Sequence, residues 1–377
     1  MAKLPSYFDD FLVKIRMTEN QIDECKTGHT TLRERLQKDD SLAPIIVGSF
    51  LQGSYKRATA IRPSEETKKS DVDIVVVTAI DRNKETPAQA LERFRPFLEK
   101  HYKGKFNLQG RSWHVELSYV EMDLVPTSAP SKVVEELVKS FSVTMTESID
   151  EMKDWRLGRY WKPGGGQLNK AMTLSEAAAE EQWRKEPLWI PDRDAAKWDE
   201  THPLAQLAGT AAKNARCNTH FVNVVKCLKW WRLTQKPTPK YPKSYPLEHL
   251  LWVNCPDGID TIAEGVVTSL ESIRDQYRVQ ALLKTTPTIP DHGVPSHNVL
   301  GRVSGKDFAA FHGIVTEAAG VARRAYDEQD ARKSAMLWRE LFGEKFPEPP
   351  DRGGETPKDG GFTPRAKVSI VGTGRFA

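Results

Sequence analysis

Short apolar runs in the first third of the chain predict the strands of a sheet. Residues 72–78 read Val-Asp-Ile-Val-Val-Val-Thr, a β-branched run that is too short for a helix and forms the clearest strand. Residues 113–125 show partial period-two alternation that ends at Pro126, which predicts either one long strand or a pair of strands. The glycine- and serine-containing stretch 48–54 follows a short apolar run and breaks the regularity before these strands.

Helical periodicity lies on either side of the first predicted strand. Residues 5–40 read as helical, and Thr18 and Gln21 have the spacing of a capping box. A further helix is predicted over residues 86–102, where a proline stands near the first helical position. The first part of the chain therefore combines strands and helices.

Helical patterns dominate after Pro130. They cover residues 131–140, 168–185, 204–234, 247–253, 259–283 and 306–342, and proline-rich joints separate them. We therefore predict an α+β chain in three parts. These are a first lobe of strands and helices with the N-terminal helices (1–130), a mostly helical lobe (131–346) and a disordered tail rich in Pro, Gly and charge (347–377).

Composition and charge narrow the class of protein. Apolar residues make up 39 % of the 377 residues, which is enough for a core, and the length suggests two lobes. A net charge of +4 is too mild for a dedicated DNA-wrapping protein, although it suits a pocket for triphosphates. The four cysteines lack zinc spacing, so we expect buried free thiols in a reducing cytoplasm. Neither a membrane span nor a signal peptide is predicted.

Two carboxylates stand at the entrance to the clearest strand. Asp71 and Asp73 flank one valine, and residues two apart in a strand point to the same face. The two carboxylates of such a pair repel each other unless a divalent cation lies between them, and Mg²⁺ prefers hard oxygen ligands. With 51 acidic residues, roughly seven such pairs are expected by chance, so the pair needs supporting context.

A third carboxylate and a glycine-serine turn supply that context. Asp123 lies within an apolar strand, where a lone acid is costly unless it is paired or bound to a metal. Glu121, which shares its face by parity, and Glu116 are competing candidates. Upstream, Gly53 allows close approach of the backbone to a phosphate and Ser54 adds a hydroxyl donor.

The order of these motifs resembles the polymerase β-like nucleotidyltransferase superfamily. A Gly-Ser turn, a strand with D-x-D flanked by apolar residues and a third Asp on a later strand form the signature of that superfamily. The spacing from Ser54 to Asp71 is longer than its norm, and residues 62–70 look like an extended loop. Gly48-Ser49 is therefore a rival turn, and Gly53-Ser54 is favoured because it lies nearer to the D-x-D motif.

The helical part carries a second resemblance. Residues 221–233 read FVNVVKCLKWWRL, and a basic, proline-rich loop then leads to Ser244-Tyr245-Pro-Leu-Glu. This pairing resembles the second domain of oligoadenylate synthetases and of bacterial cGAS/DncV-like nucleotidyltransferases. The resemblance implies that Lys229 grips the triphosphate and that Ser244 and Tyr245 contact and stack the donor nucleotide. From the residues alone, Lys226 and Lys229 share a helix face and also fit two solvent lysines on an amphipathic helix.

Residues 5–345 as a whole resemble the bacterial cGAS/DncV-like enzymes of anti-phage signalling, particularly their clade D. The resemblance implies a polymerase β-like lobe with a mixed sheet, followed by a helical lobe that clamps the nucleotide. It implies nucleotidyl transfer with ATP as substrate and GTP as a further candidate substrate. The implied product is an adenine-containing cyclic trinucleotide that activates an effector. Two Mg²⁺ ions, replaceable by Mn²⁺, would be held by Asp71, Asp73 and Asp123, and Gln52, Gly53 and Ser54 would contact the nucleotide.

Two other functions remain open at this point. One is a transferase that makes linear oligoadenylate or tails a nucleic acid, which needs a more basic acceptor groove. The other is a silent nucleotide-binding adaptor, against which the three carboxylates argue. The C-terminal segment 368–377 is apolar and glycine-rich, ending in Ala377. It fits either an edge strand or a flexible handle that a partner binds by strand addition. The resemblance implies that this partner is a ubiquitin-activating-like protein that joins the C-terminus to a target.

Overall fold

A mixed sheet forms the centre of the first lobe. The structure is a computed structural model that describes residues 4–63, 69–129 and 187–349. The strands are β1 Ile46–Gln52, β2 Ser70–Thr78, β3 Phe106–Leu108, β4 Trp113–Glu116, β5 Val120–Ser128, β6 Leu188–Asp192 and β7 Lys197–Thr201. Within the described ranges they form one seven-stranded sheet in the order β1-β2-β5-β4-β3, with β6 pairing β5 and β7. The pairing of β2 with β5 is parallel, and the other pairings are antiparallel.

The alternating segment 113–125 forms a pair of strands rather than one. The second of them, β5, does not end at Pro126 as predicted but continues to Ser128. Proline has no backbone N–H to donate. The neighbouring strand β4 pairs with β5 only as far as Leu124, so no residue of β4 lies opposite Pro126 to accept such a hydrogen bond. A proline is therefore tolerated there.

Strands β6 and β7 come from a region that was predicted to belong to the helical lobe. They pair with each other over five residues each, and β6 joins the sheet through Ser128 of β5 opposite Trp189. These strands are short, β6 contains Pro191, and β7 has one apolar residue among charged and polar ones, so neither has the pattern of a core strand. The predicted division at residue 130 stays a prediction, although the sheet contains strands from before and after this residue.

The described helices lie within the predicted regions or extend a few residues beyond them, and one short helix after β1 was not predicted. They are α1 Pro5–Ile15, α2 Glu19–Gln37, α3 Gly53–Lys56, α4 Pro87–Glu92, α5 Arg95–Tyr102, α6 Pro203–Arg216, α7 Phe221–Thr234, α8 Ser244–Asn254, α9 Ile262–Gln276, α10 Arg278–Leu282, α11 Gly305–Asp327 and α12 Ala331–Phe342. The capping box of Thr18 and Gln21 is confirmed at the start of α2. Because Thr18 starts a new helix, region 5–40 divides into two, and region 86–102 divides before Pro96.

Several predicted segments lie outside the described residues. These are the helical patterns 131–140 and 168–185, the centre of the loop 62–70 and the tail beyond residue 349. Among the described helices, none is long and apolar enough to cross a membrane. All four cysteines are buried and free, as predicted.

Two large apolar cores hold the chain together, and the N-terminal helices divide between them. Helix α2 packs on the sheet, where a Cβ added at Gly28 would lie 2.6 Å from Val120. Helix α1 instead lies in the core of the helical lobe, with Phe8 against Trp338 and Phe11 against Phe342 at ring distances of 5.0 and 4.7 Å. The first helix of the chain thus packs against the last described one.

Candidate active site

A row of polar residues crosses four neighbouring strands of the sheet. Gln52 of β1 is paired with Asp73 of β2, Asp73 with Asp123 of β5, and Asp123 with His114 of β4. Residues paired across strands point to the same face of a sheet. The register therefore places these four side chains on one face, together with Asp71, which lies two residues before Asp73.

Three carboxylates meet on this face. Asp71, Asp73 and Asp123 each offer a carboxylate oxygen, and these oxygens all lie within 4.8 Å of one another. The two competing acids, Glu121 and Glu116, do not belong to this group. Glu121 is paired with Asp71 in the sheet but lies outside this group, and exposed Glu116 forms an ion pair with Lys69 at 2.7 Å.

The proximity of these carboxylates makes their ionisation unfavourable. Solvent reaches Asp71, yet protein atoms surround most of its carboxylate, and this desolvation with the charges of Asp73 and Asp123 raises its pKa to about 8. Burial and the charge of Asp123 raise the pKa of Asp73 to about 6, although Arg57 and Lys229 oppose the shift. Without a bound cation, the cluster therefore retains a proton near neutral pH.

The donor set suits a divalent cation. Hard carboxylate oxygens on rigid strands are ligands that Mg²⁺ and similar ions prefer, and a cation would relieve the repulsion that raises these two pKa values. The neighbouring turn leaves room for the cluster, because a Cβ added at Gly53 would lie 1.7 Å from Oδ2 of Asp73. A glycine is therefore required beside the carboxylates.

The glycine-serine turn lies directly after β1, where the chain enters the short helix α3. Gly53 has a φ of +72°, and Gln52 is extended. The carbonyl of Ser54 accepts from the backbone N–H groups of Thr59 and Ala60, which fixes the turn. The alternative turn fails on geometry, since Ser49 is buried within β1 and accepts a hydrogen bond from Arg33.

A buried ion network joins this turn to the helical lobe. Glu248 of α8 accepts from Arg57 Nε at 3.0 Å, from Thr59 Oγ1 at 2.8 Å and from Lys229 Nζ at 3.0 Å. Lys229 also donates to the carbonyl of Thr59 at 3.0 Å. Burial alone would raise the pKa of Glu248, but the charges of Arg57 and Lys229 and their hydrogen bonds outweigh it and lower the pKa to about 2.

The structure places Lys229 beside the acidic cluster and already in contact with the protein. Its ammonium has three N–H donors, of which Glu248 and Thr59 take two. Lys226 is buried as well, and its pKa is lowered well below the usual value by desolvation and by Arg16. The interpretation of these two residues as solvent lysines is therefore wrong.

Tyr245 and Ser244 lie at the start of α8, next to the same network. The hydroxyl of Tyr245 donates to Asp291 Oδ2, and the guanidinium of Arg57 lies 5.1 Å from the centre of its ring. Ser244 is exposed, and its hydroxyl donates to Glu248 at 3.3 Å. The Tyr245 ring is thus held at its hydroxyl end and on the Arg57 side.

Sequence reasoning missed His114, Glu248 and Asp291. Glu248 and Asp291 act through partners that are distant in the sequence, and His114 acts through Asp123 on the neighbouring strand, so no local pattern indicates them. His114 Nδ1 lies 2.9 Å from Asp123 Oδ1, and Asp291 also accepts from Gln206 at 3.2 Å. Glu248 was visible only as the last residue of the Ser-Tyr-Pro-Leu-Glu motif.

Comparisons with known proteins agree with this arrangement. Residues 2–151 match the model of the Second Messenger Oligonucleotide or Dinucleotide Synthetase domain. Over their whole lengths, the chain is 45 % identical to a Salmonella paratyphi B protein named "Probable cyclic AMP-AMP-GMP nucleotide synthase" and 43 % identical to the cyclic AMP-AMP-GMP synthase of Enterobacter hormaechei.

Solved structures show the same fold. The Vibrio cholerae DncV cyclic AMP-GMP synthase, in complex with the linear intermediate pppA(3′,5′)pG, has a TM-score of 0.61 to this chain and 11 % sequence identity. The match covers 91 % of this chain and 96 % of that one. The predicted architecture, a nucleotidyltransferase lobe with a mixed sheet followed by a helical lobe, is confirmed.

Proposed function

Because this chain belongs to the bacterial cGAS/DncV-like nucleotidyltransferases, we propose that it condenses ATP and GTP into cyclic AMP-AMP-GMP and releases pyrophosphate. The observation that carries the proposal is the convergence of Asp71, Asp73 and Asp123 beside the Gly53 turn. The product is chosen because both full-length relatives above are named for it. As a second messenger, it would act on an effector that senses it.

Each cycle of the proposed reaction forms three phosphodiester bonds. A hydroxyl oxygen of one nucleotide attacks the α-phosphorus of the next, the bond from that phosphorus to the bridging oxygen breaks, and pyrophosphate leaves. Asp71 and Asp73 would hold two Mg²⁺ ions, and Asp123 would hold one of them. When bound, such ions activate the attacking oxygen and stabilise the leaving one.

The remaining residues position the nucleotides. The turn at Gly53 and Ser54, with Gln52 before it, would seat the phosphates through backbone N–H groups and the serine hydroxyl. Lys229 would use its third N–H on the triphosphate, and Ser244 and Tyr245 would contact the donor nucleotide. Asp123 accepts from His114 through Oδ1, so Oδ2 is the oxygen that would hold its cation, and the proton of the attacking hydroxyl would pass to water.

The product is tested by incubating the chain with labelled ATP, GTP or both, and Mg²⁺ or Mn²⁺. We expect a phosphatase-resistant product with the mass of cyclic AMP-AMP-GMP only when both nucleotides are present. Mass spectrometry identifies the product, and release of pyrophosphate provides an independent measure. A product that requires an added RNA primer would instead indicate tailing, and absence of pyrophosphate release would indicate a silent binding protein.

Lys229→Met is expected to weaken the use of ATP. The substitution keeps the length of the side chain and removes a charge-assisted contact of about 1.5–3 kcal/mol, which corresponds to a roughly ten- to hundredfold higher KM for ATP. It also removes one partner of buried Glu248, which keeps Arg57, so the melting temperature is expected to fall. Steady-state kinetics and thermal unfolding measure both effects.

Exposed Lys243, the residue that precedes α8, provides the matched control. Lys243→Met is expected to leave both KM and melting temperature near those of the wild type. If Lys229→Met lowers the melting temperature but leaves the KM for ATP unchanged, Lys229 stabilises the contact between the lobes and does not bind the triphosphate.

We also propose that a ubiquitin-activating-like partner joins the C-terminus of this chain to a target. The proposal rests on membership of the bacterial cGAS/DncV-like enzymes and on the apolar, glycine-rich segment 368–377, which lies outside the described residues.

A further inference from the structure

We propose that His114 is a positioning residue for the proposed metal site, acting through Asp123. The inference rests on the function proposed above and adds to it a residue on a strand that supplies none of the three carboxylates. His114 Nδ1 lies 2.9 Å from Asp123 Oδ1, and both side chains are mostly buried, with 17 and 21 % exposed. The contact is therefore short and largely shielded from solvent.

The backbone fixes this contact. His114 is paired directly opposite Asp123 in the antiparallel ladder of β4 and β5, and the flanking pairs join Trp113 to Leu124 and Val115 to Met122. These four flanking residues are buried, so the register cannot slip without exposing them. The imidazole consequently occupies one position relative to the carboxylate.

The chemistry of the pair sets the direction of the hydrogen bond. An ionised carboxylate only accepts, so Nδ1 of His114 carries the hydrogen and donates it to Oδ1. Within the described residues, His114 is the one side chain that hydrogen-bonds Asp123. A carboxylate that holds a cation must present a fixed oxygen, and a hydrogen bond to its other oxygen removes the freedom to rotate away.

The alternative assignment for His114 is a solvated residue on a sheet face. That assignment accounts less well for the cross-sheet row, in which Asp73, Asp123 and His114 follow one another on adjacent strands. Exposed Glu116, two residues later on the same face, shows what a solvated position on β4 looks like. It is half exposed and pairs with Lys69 on the surface.

Direct binding of Mn²⁺ alone tests the proposal. Four full-length proteins are compared by electron paramagnetic resonance and by the rise in melting temperature with Mn²⁺. They are the wild type, His114→Val, His114→Asn and Glu116→Gln. We expect His114→Val to bind Mn²⁺ about ten- to hundredfold more weakly. His114→Asn is expected to retain most of the affinity because its amide nitrogen takes the place of Nδ1, and Glu116→Gln to match the wild type.

A double-mutant cycle separates this inference from the proposed function. If His114 acts through Asp123, His114→Val causes no further loss of Mn²⁺ binding in an Asp123→Asn background. Equal binding by folded His114→Val and wild type overturns the inference while leaving the function intact. If His114→Val does not fold, weak binding by folded His114→Asn overturns it, since the retained donor should suffice. Wild-type Mn²⁺ binding and pyrophosphate release by Asp123→Asn would instead overturn the proposed site itself.

Discussion

Asp73→Asn is expected to abolish pyrophosphate release from ATP and GTP, with a loss of at least about a thousandfold. The substitution keeps the shape of the side chain and removes the charge at the centre of the three carboxylates, and the cation contribution to the transition state amounts to several kcal/mol. A sensitive pyrophosphate assay with Mg²⁺ measures the loss. Glu121→Gln, which neutralises a carboxylate on the neighbouring strand outside the cluster, is expected to keep activity.

The same variant is expected to be at least as stable as the wild type without metal. Burial and Asp123 raise the pKa of Asp73 in the folded protein to about 6, so its ionised form destabilises the fold. This cost is absent below about pH 4, where Asp73 is protonated in both states, and fully present above about pH 6. The advantage of Asn should therefore appear as the pH rises through that interval in thermal unfolding. An active Asp73→Asn enzyme would contradict the assignment of the cluster.

Gly53→Ala is the second change with a large expected effect. The added Cβ would lie 1.7 Å from Oδ2 of Asp73, so the carboxylate or the turn must move. A displacement of about 1 Å at a reacting centre costs on the order of a hundredfold in rate. We therefore expect a loss of pyrophosphate release of about this size or larger, with a modest fall in melting temperature.

Gly104→Ala is a matched control for the backbone. Gly104 has the same φ of +72°, yet an added Cβ meets nothing within 4 Å. Both variants place alanine in the left-handed region and share a strain cost of about 1–3 kcal/mol. Only Gly53→Ala should lose activity. Equal activity of the two variants would show that the turn does not set the position of Asp73.

The carboxylate cluster could be predicted because its signal is local. Asp71 and Asp73 share a face by parity, and Asp123 interrupts an apolar run, so each residue is unusual in its own strand. The sequence left open which strands are neighbours. The parallel pairing of β2 with β5 brings Asp73 opposite Asp123, and the distances between carboxylate oxygens leave Glu121 and Glu116 outside the group.

Residues whose partners are distant in the sequence could not be predicted in this way. Glu248 looked like an ordinary residue of a helix, and its buried position depends on Arg57 and Lys229 arriving from two other elements. The extra strands β6 and β7 were missed because short, charged and proline-containing segments gain strand structure only from the sheet they join. The contact of His114 with Asp123 could be recognised only from the register of β4 against β5.

The packing of α1 has a consequence for the order in which the protein is made and folded. Phe8 and Phe11 leave the ribosome long before Trp338 and Phe342, against which they pack. Because their partners are synthesised much later, these contacts form late. During synthesis the nascent chain must carry an amphipathic helix with an unburied apolar face until the helical lobe is almost complete. We therefore expect a chaperone to protect this first helix during synthesis.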